Sequence, residues 1–217
     1  SRIGVVSGDS VIDITAIDID APRDIQTAIK ENKLDEIQAI AARSHTSHQH
    51  PFESLDFEIP ILAPGKILCL GLNYMEHVNE GMFDKQSFPT IFMRSQTSMI
   101  AHNKPSIRPL NSETLDYEAE LALFIGKTSR NLTAENALDA VAGYGCANDG
   151  SIREYQRHTI QWTMGKNFDN TGPIGPVFVT ADELPDGAKG LKIECRLNGQ
   201  VVQSSNTDMM IFPVVET

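Results

Sequence analysis

Apolar and polar residues alternate along residues 115–126 in a way that predicts a β-strand. Because side chains two apart on a strand point to the same side, Glu118 and Glu120 share one face, which continues into Ala122 and Phe124. Two acids followed by apolar residues indicate one of two arrangements. One is a wet, acidic strand end at a sheet edge, since exposed acids are common. The other is a polar pocket with two carboxylates aimed into it, where a hard divalent cation could take oxygen ligands.

The first 44 residues change from a strand pattern to a helix pattern. Short apolar runs at Ile3–Val6 and Val11–Ile14 flank a glycine-containing turn, which predicts a β-hairpin. Residues 24–44 then repeat apolar side chains with helical spacing, and a break near Glu31 predicts two short helices. We therefore expect a small N-terminal α/β domain over residues 1–62.

Three histidines, His45, His48 and His50, lie in a polar segment that follows these helices. Closely spaced imidazoles can bind a metal opportunistically, but no cysteine or acid lies inside the run. The composition favours a solvated linker. The main domain is expected over residues 63–217.

The main domain consists mostly of predicted strands separated by turns. Asn198-Gly199 between two apolar runs is a strong hairpin signal. Amphipathic spacing predicts a helix over residues 133–142, with Thr133 as its N-cap. Ile211–Val215 is expected to form a final strand. The predicted fold class is α+β, predominantly β.

Composition narrows the classes of function. Of 217 residues, 41% are hydrophobic and 22% are charged, as in a globular protein, and the net charge of −11 argues against nucleic acid as a partner. No apolar run approaches the roughly 20 residues that span a bilayer, so no membrane partner is expected. Cys69, Cys146 and Cys195 lie far apart without a CxxC pair, which predicts reduced thiols in a cytoplasmic protein.

Two further groups could carry chemistry. Asn73 can cap a short helix on which His77 and Glu80, at i and i+3, are neighbours. A carboxylate beside an imidazole raises its basicity, which is the arrangement of a general base that activates water. An exposed helical pair of no special importance is the alternative. Lys166 follows Gly165 directly, and its plainest role is a salt bridge with Asp169.

Several motifs occur in one order along residues 64–212: GLNYMEH with Glu80 after it, PTIFMRS, DYEAEL, NDGSIREYQ, QWTMGKNFD, and LNGQVVQ leading to MIF. Together they resemble the fumarylacetoacetate hydrolase family. The resemblance implies a mixed β-roll or sandwich with flanking helices, usually assembled as a homodimer. Family members typically continue for several more strands, including a Gly-Thr-Pro segment, so the C-terminal part of the domain is expected to lie outside the given sequence.

The resemblance also implies roles for individual residues. A divalent metal, Mg²⁺ first and Mn²⁺ or Ca²⁺ as alternatives, is expected on Glu118, Glu120 and Asp149. The expected catalytic residues are His77, Glu80 and Lys166. The expected substrate-binding residues are Arg153, Gln156, Tyr74 and Arg94, the last of which stands where many members have lysine.

The function implied is hydrolysis of a C–C bond in a small anionic 1,3-diketo acid of the acylpyruvate or fumarylpyruvate type, in the breakdown of aromatic compounds. The metal would make the carbonyl electrophilic and stabilise the departing enolate. His77, supported by Glu80, would activate the attacking water, and Lys166 would add positive charge at the oxyanion. The alternatives are an oxaloacetate decarboxylase, an isomerase or dehydratase of a 2-oxo acid, and a binding protein without activity.

Overall fold

The computed structural model describes residues 1–75 and 87–217 of the chain. Strands dominate this part of the chain and its helices are short, so the predicted α+β, predominantly β class is confirmed. The strands are β1 (Gly4–Ser7), β2 (Ser10–Asp13), β3 (Gln49–Pro51), β4 (Ile67–Gly71), β5 (Thr90–Arg94), β6 (Met99–Ile100), β7 (Leu115–Asp116), β8 (Ala119–Ile125), β9 (Val141–Asn148), β10 (Ser151–Ile152), β11 (Gly172–Pro173), β12 (Val179–Thr180), β13 (Lys192–Leu197) and β14 (Gln200–Asn206). The α-helices are α1 (Ile14–Ile17), α2 (Ile25–Lys30), α3 (Leu34–Ala41), α4 (Arg153–Arg157) and α5 (Thr163–Lys166).

The N-terminal residues form a small sheet covered by helices, as predicted. β1 and β2 form the expected hairpin, and α2 and α3 are the two expected helices. Asp24 caps α2 by accepting a hydrogen bond from the Thr27 N–H at 2.7 Å. A buried apolar cluster lies between the sheet and the helices. The domain boundary at residue 62 stays a prediction.

The histidine segment is structured rather than a linker. Thr46–His48 forms a 3₁₀ turn in which His48 Nδ1 accepts a hydrogen bond from the His45 N–H at 3.2 Å. β3 follows and pairs with β2, adding a third strand to the sheet. Pairing supplies backbone hydrogen bonds even where the strand's own side chains are exposed, which the polar composition did not reveal.

The run of residues 115–126 is two strands rather than one. β7 pairs with β10, whereas β8 pairs with β9 in a three-stranded sheet of order β12-β9-β8. Tyr117 and Glu118 lie where the chain passes from one partner to the other. This break places the first predicted carboxylate, Glu118, just before the start of β8 and next to the end of β9.

The remaining strands form two-stranded sheets around this one. β4 pairs with β5, β13 with β14, and β6 runs parallel to β11. The Asn198-Gly199 hairpin is confirmed, and both residues have positive φ angles of 51° and 81°. No helix within residues 1–75 and 87–217 has the length and apolar character that crossing a membrane requires.

Two predicted elements are wrong. Residues 133–142 hold only a 3₁₀ turn at Ala137–Ala140, because Val141 already pairs with Ile125 and begins β9. Ile211–Val215 is not a strand. Its backbone is bound by Asn73, whose side chain accepts a hydrogen bond from the Phe212 N–H at 2.8 Å and donates to the Phe212 carbonyl at 3.1 Å.

Candidate active site

Glu118 and Asp149 lie side by side because β8 begins where β9 ends. Ala119 is the register partner of Asn148, so the residues just outside this pair are neighbours. The Asp149 N–H donates to the Glu118 carbonyl at 2.8 Å, and the Asn148 side-chain oxygen accepts from the Glu118 N–H at 2.9 Å. The sheet thus brings together two carboxylates that are 31 positions apart in the sequence.

Glu120 lies within β8, two positions after Glu118, and close enough to it for the charge of Glu118 to act on the Glu120 carboxyl. Burial raises the pKa of its carboxyl to about 8, the negative charges of Glu118 and Asp149 add to the rise, and Lys166 opposes it. Within the described part of the chain, Glu120 accepts no hydrogen bond. Its carboxylate is therefore the acid of this group that most lacks a compensating charge.

Lys166 lies between two of the carboxylates. Its Nζ is 2.7 Å from Glu118 Oε2 and 2.7 Å from Asp149 Oδ2, and its side chain is 1% exposed. Gly165 allows this position, because a Cβ there would come within 2.4 Å of the Gln156 backbone nitrogen. The alternative pairing of Lys166 with Asp169 is wrong, since the two site carboxylates are its partners.

Arg153 and Gln156 share one face of α4, as predicted, and Arg153 Nη1 donates to Gln156 Oε1 at 3.0 Å. Arg153 also pairs with Glu118 and, through Nε, with Asp116 Oδ2 at 2.7 Å. Its side chain is 20% exposed, and its Nη2 donates to no described protein atom. Glu118 therefore holds two cations, Lys166 and Arg153, on its two oxygens.

Arg94 lies behind Asp149 and not at an open surface. Its side chain is 2% exposed and pairs with Asp149 Oδ1. The remaining donors bind Ser98 Oγ at 3.2 Å, the Gly150 carbonyl at 3.1 Å and Thr171 Oγ1 at 2.9 Å. With its guanidinium surrounded in this way, Arg94 supports Asp149, and its placement does not favour the predicted contact with substrate.

Replacement of Arg94 by lysine is expected to lower the free energy of unfolding by about 1–3 kcal/mol. A lysine can still neutralise Asp149, but it cannot reach the other acceptors with a planar fork, so buried oxygens lose their donors. Denaturant unfolding would measure the loss. The same change at Arg43, whose pair with Asp18 is largely exposed, is the control and should change stability by less than about 1 kcal/mol. Equal effects at the two positions would contradict this account of Arg94.

Tyr74 lies next to the carboxylates, as a bridge partner of Met210. Its hydroxyl is buried without a hydrogen-bond partner among the described residues. Burial and then the charge of Glu120 raise its pKa to about 12, so it is a protonated donor near that carboxylate. The predicted base His77 and its partner Glu80 lie outside the described residues, and their roles stay predictions.

The three predicted metal ligands supply oxygen donors alone, which is the chemistry of a hard divalent cation. The uncompensated Glu120 carboxylate fits such a cation as well. As the side chains stand, however, no three Asp, Glu, His or Cys residues in the described ranges are arranged around one metal position. Lys166 instead occupies the space between Glu118 and Asp149.

Sequence reasoning missed three residues that hold this site. Asp116 alternates with Glu118 and Glu120, and this spacing could have revealed it as a partner of Arg153. Asn148 precedes Asp149 in the chain, and its side chain binds the Glu118 backbone. Gln203 binds the backbone of Ala119 from 84 positions away, and no local pattern indicates that contact.

Comparisons with known proteins agree on one family. The family description "Fumarylacetoacetate (FAA) hydrolase C-terminal" matches residues 66–217. A fumarylacetoacetate hydrolase domain-containing protein 2 homolog of Dictyostelium discoideum is 35% identical, over 98% of this chain and 73% of its own length. A mitochondrial oxaloacetate tautomerase of Xenopus laevis is 36% identical, over 97% of this chain and 67% of its own length.

Solved structures extend the comparison. The fumarylacetoacetate hydrolase of Exiguobacterium antarcticum is 32% identical with a TM-score of 0.81, over 99% of this chain and 74% of that one. The maleylpyruvate hydrolase of Sphingobium sp. SYK-6, solved with manganese(II) and pyruvate, is 27% identical with a TM-score of 0.81, over 100% of this chain and 77% of that one.

Proposed function

The chain belongs to the fumarylacetoacetate hydrolase family, and from this premise we propose that it interconverts the keto and enol forms of a small 2-oxo acid, with oxaloacetate as the first substrate. The observation that carries the proposal is the pair of cations on Glu118: buried Lys166 on one oxygen and partly exposed Arg153 on the other. The relative named as an oxaloacetate tautomerase, matched over nearly the whole chain, supports this choice of substrate.

The two cations suit the two ends of a 2-oxo acid. Arg153 has an open Nη2 edge that can donate to the substrate carboxylate, and charge-assisted bonds of this kind are strong and directional. Lys166 is desolvated, so its charge acts strongly on an oxygen that becomes negative as the enol forms. Gln156 orients Arg153, and Tyr74 can donate a hydrogen bond beside Glu120.

Glu118, Glu120 and Asp149 would hold the divalent metal, Mg²⁺ first and Mn²⁺ as the probe. When bound, such an ion polarises a carbonyl oxygen as a Lewis acid. The chain's residues would do the rest: His77, with Glu80, takes and returns the proton, and Arg153 fixes the substrate. A homodimer and a cytoplasmic location stay predictions, and the Xenopus relative is mitochondrial by its name.

The second candidate is the C–C hydrolysis predicted from the sequence. The structural similarity to the maleylpyruvate hydrolase, which was solved with pyruvate bound, favours it. Both reactions stabilise negative charge on the oxygen of a 2-oxo acid. They differ in whether His77 must also activate a water molecule that cleaves the carbon chain.

Nuclear magnetic resonance of the reaction mixture separates the candidates. The protein, loaded with Mg²⁺ or Mn²⁺, is mixed with oxaloacetate, acetylpyruvate or fumarylpyruvate, with an EDTA-treated sample alongside. Faster approach to the keto–enol equilibrium with an unchanged carbon skeleton supports the proposal. Two shorter acids would support the hydrolase, and pyruvate with CO₂ a decarboxylase. If no substrate were altered faster than in buffer, both enzymatic proposals would be wrong.

Replacement of Arg153 by lysine is expected to raise KM by about tenfold to 100-fold with a smaller change in kcat. Lysine keeps the positive charge but lacks the planar guanidinium group, so the substrate loses about one charge-assisted hydrogen bond. Steady-state kinetics on the best substrate would measure it. Arg157→Lys, on the same helix at an exposed position, is the matched control. An unchanged KM in the Arg153 variant would remove that residue from substrate binding.

A further inference from the structure

Ala119, between the two glutamates, is bound by a side chain from β14. Gln203 Oε1 accepts a hydrogen bond from the Ala119 N–H at 2.7 Å, and Gln203 Nε2 donates to the Ala119 carbonyl at 3.1 Å. One amide group therefore satisfies both backbone groups of one residue, as a neighbouring strand would. We call this pair of hydrogen bonds the Gln203 brace.

The brace lies on the edge of β8 that has no strand partner in the described sheet, whose order is β12-β9-β8. Backbone groups of successive residues on a strand point to opposite edges. Glu118 is bound on the β9 side, through Asn148 and Asp149. Ala119 is bound on the other side by Gln203. The segment that carries both glutamates is thus fixed from both edges.

We propose that Gln203 is a positioning residue that sets the directions of the Glu118 and Glu120 carboxylates through the backbone of Ala119. The inference rests on the proposed role of those carboxylates as metal ligands. Gln203 makes no hydrogen bond to either carboxylate, so its effect must pass through the backbone. A rotation of the Ala119 peptide groups would turn the flanking side chains away from a common point.

The chain contains a matched control for the brace. Gln26 Nε2 donates to the Ala63 carbonyl at 2.9 Å, and Gln26 Oε1 accepts from the Ala63 N–H at 3.1 Å. This is the same pair of hydrogen bonds, and neither residue is among the predicted site residues. Loss of either brace removes equivalent bonds, but only loss of the Gln203 brace releases the metal-binding segment.

The test measures the affinity of the full chain for Mn²⁺ alone by isothermal titration calorimetry. Gln203→Met, which keeps length but cannot hydrogen bond, is expected to weaken binding by about 10- to 100-fold, the usual effect of losing a residue that orients metal ligands. Gln26→Met should bind Mn²⁺ like the wild type. Thermal unfolding of both variants shows whether they are folded at the temperature of the titration.

A second variant keeps the test decisive if Gln203→Met does not fold. Gln203→Glu retains an acceptor for the Ala119 N–H and loses only the donor. Its added negative charge alone would strengthen cation binding, so weaker Mn²⁺ binding in this variant would support the brace. Binding as tight as in the wild type or tighter, in folded Gln203→Met or in folded Gln203→Glu at a salt concentration that screens the added charge, would overturn the inference. If the wild type itself bound no Mn²⁺, the proposed metal function would fail instead.

Discussion

Replacement of Lys166 by methionine is expected to lower kcat for 2-oxo acid turnover by about 10²- to 10³-fold, the effect of losing one preorganised group that stabilises a developing oxyanion. The ammonium is 1% exposed and is held 2.7 Å from both Glu118 and Asp149, so water cannot substitute for its charge. Methionine fills similar volume without the charge. The loss should therefore appear mainly in kcat, because the charge that Lys166 stabilises develops only as the reaction proceeds.

Binding of Mn²⁺ distinguishes this chemical role from a collapse of the site. Removal of a positive charge that lies between two carboxylates should leave Mn²⁺ affinity unchanged or increase it. Lys192→Met is the control, since Lys192 is 64% exposed and, among the described residues, forms its ion pair with Glu194. Loss of both activity and Mn²⁺ binding in the Lys166 variant would indicate a structural role. A fall in kcat of less than about tenfold would exclude Lys166 from oxyanion stabilisation.

The parts of this site that the sequence predicts are those set by local periodicity. The two-residue repeat predicts that Glu118 and Glu120 lie near each other, and their charges do interact, while a helical turn places Arg153 beside Gln156. The hairpin at Asn198-Gly199 follows from the positive φ angles that its turn requires. In each case the partners lie within a few residues, so their relation follows from backbone geometry alone.

The parts that the sequence does not predict depend on contacts between distant segments. Arg94 reaches Asp149 across 55 positions and Gln203 reaches Ala119 across 84. Contacts between distant segments also explain why the helix predicted over residues 133–142 does not form. The spacing of residues 133–142 suits a helix, but β8 pairs with Val141 and takes that part of the chain into a sheet. Tertiary pairing outweighs a propensity that amounts to less than about 1 kcal/mol per residue.

The pairing of acids with cations in the site is also visible only in the structure. Three of the four acids, Asp116, Glu118 and Asp149, pair with the cations of Arg94, Arg153 and Lys166, while Glu120 pairs with no cation among the described residues. A protein of net charge −11 thus concentrates its buried cations around a few carboxylates. The position of Glu120 within this group leads to an expectation about stability as well as binding.

Replacement of Glu120 by glutamine is expected to stabilise the metal-free protein and to abolish its stabilisation by Mn²⁺. Burial raises the pKa of Glu120 from 4.5 to about 8 in the folded protein, with Glu118 and Asp149 adding to the rise. Between these two pH values the folded protein keeps a proton that the unfolded chain has released. The free energy of unfolding in EDTA should therefore fall as pH rises through this window, and the stability contributed by the bound proton is lost above about pH 8.

Glutamine is neutral at every pH, so the free energy of unfolding of the variant should fall less steeply as pH rises. In EDTA at pH 8 the variant should unfold at a higher denaturant concentration than the wild type. Saturating Mn²⁺ should reverse the order, because a ligand that binds only the folded state stabilises it. Wild-type Mn²⁺ affinity should also tighten as pH rises towards 8, since the metal must displace the proton of Glu120. Glu113→Gln, at an exposed position, is the control and should leave both the slope and the metal response unchanged.

The decisive result is whether the order of stability of the wild type and the glutamine variant reverses when Mn²⁺ is added. If Glu120 were only a structural carboxylate, the glutamine variant would differ from the wild type by the same amount with and without Mn²⁺. If Glu120 were already ionised and paired in the folded protein, the variant would be less stable at pH 8 in EDTA. Two results together would identify Glu120 as a metal ligand. The glutamine variant would be more stable than the wild type without metal, and it would lose more Mn²⁺ affinity than the roughly 10- to 100-fold expected for a residue that only orients the ligands. Glu120 would then be kept for metal binding although its buried charge destabilises the metal-free protein.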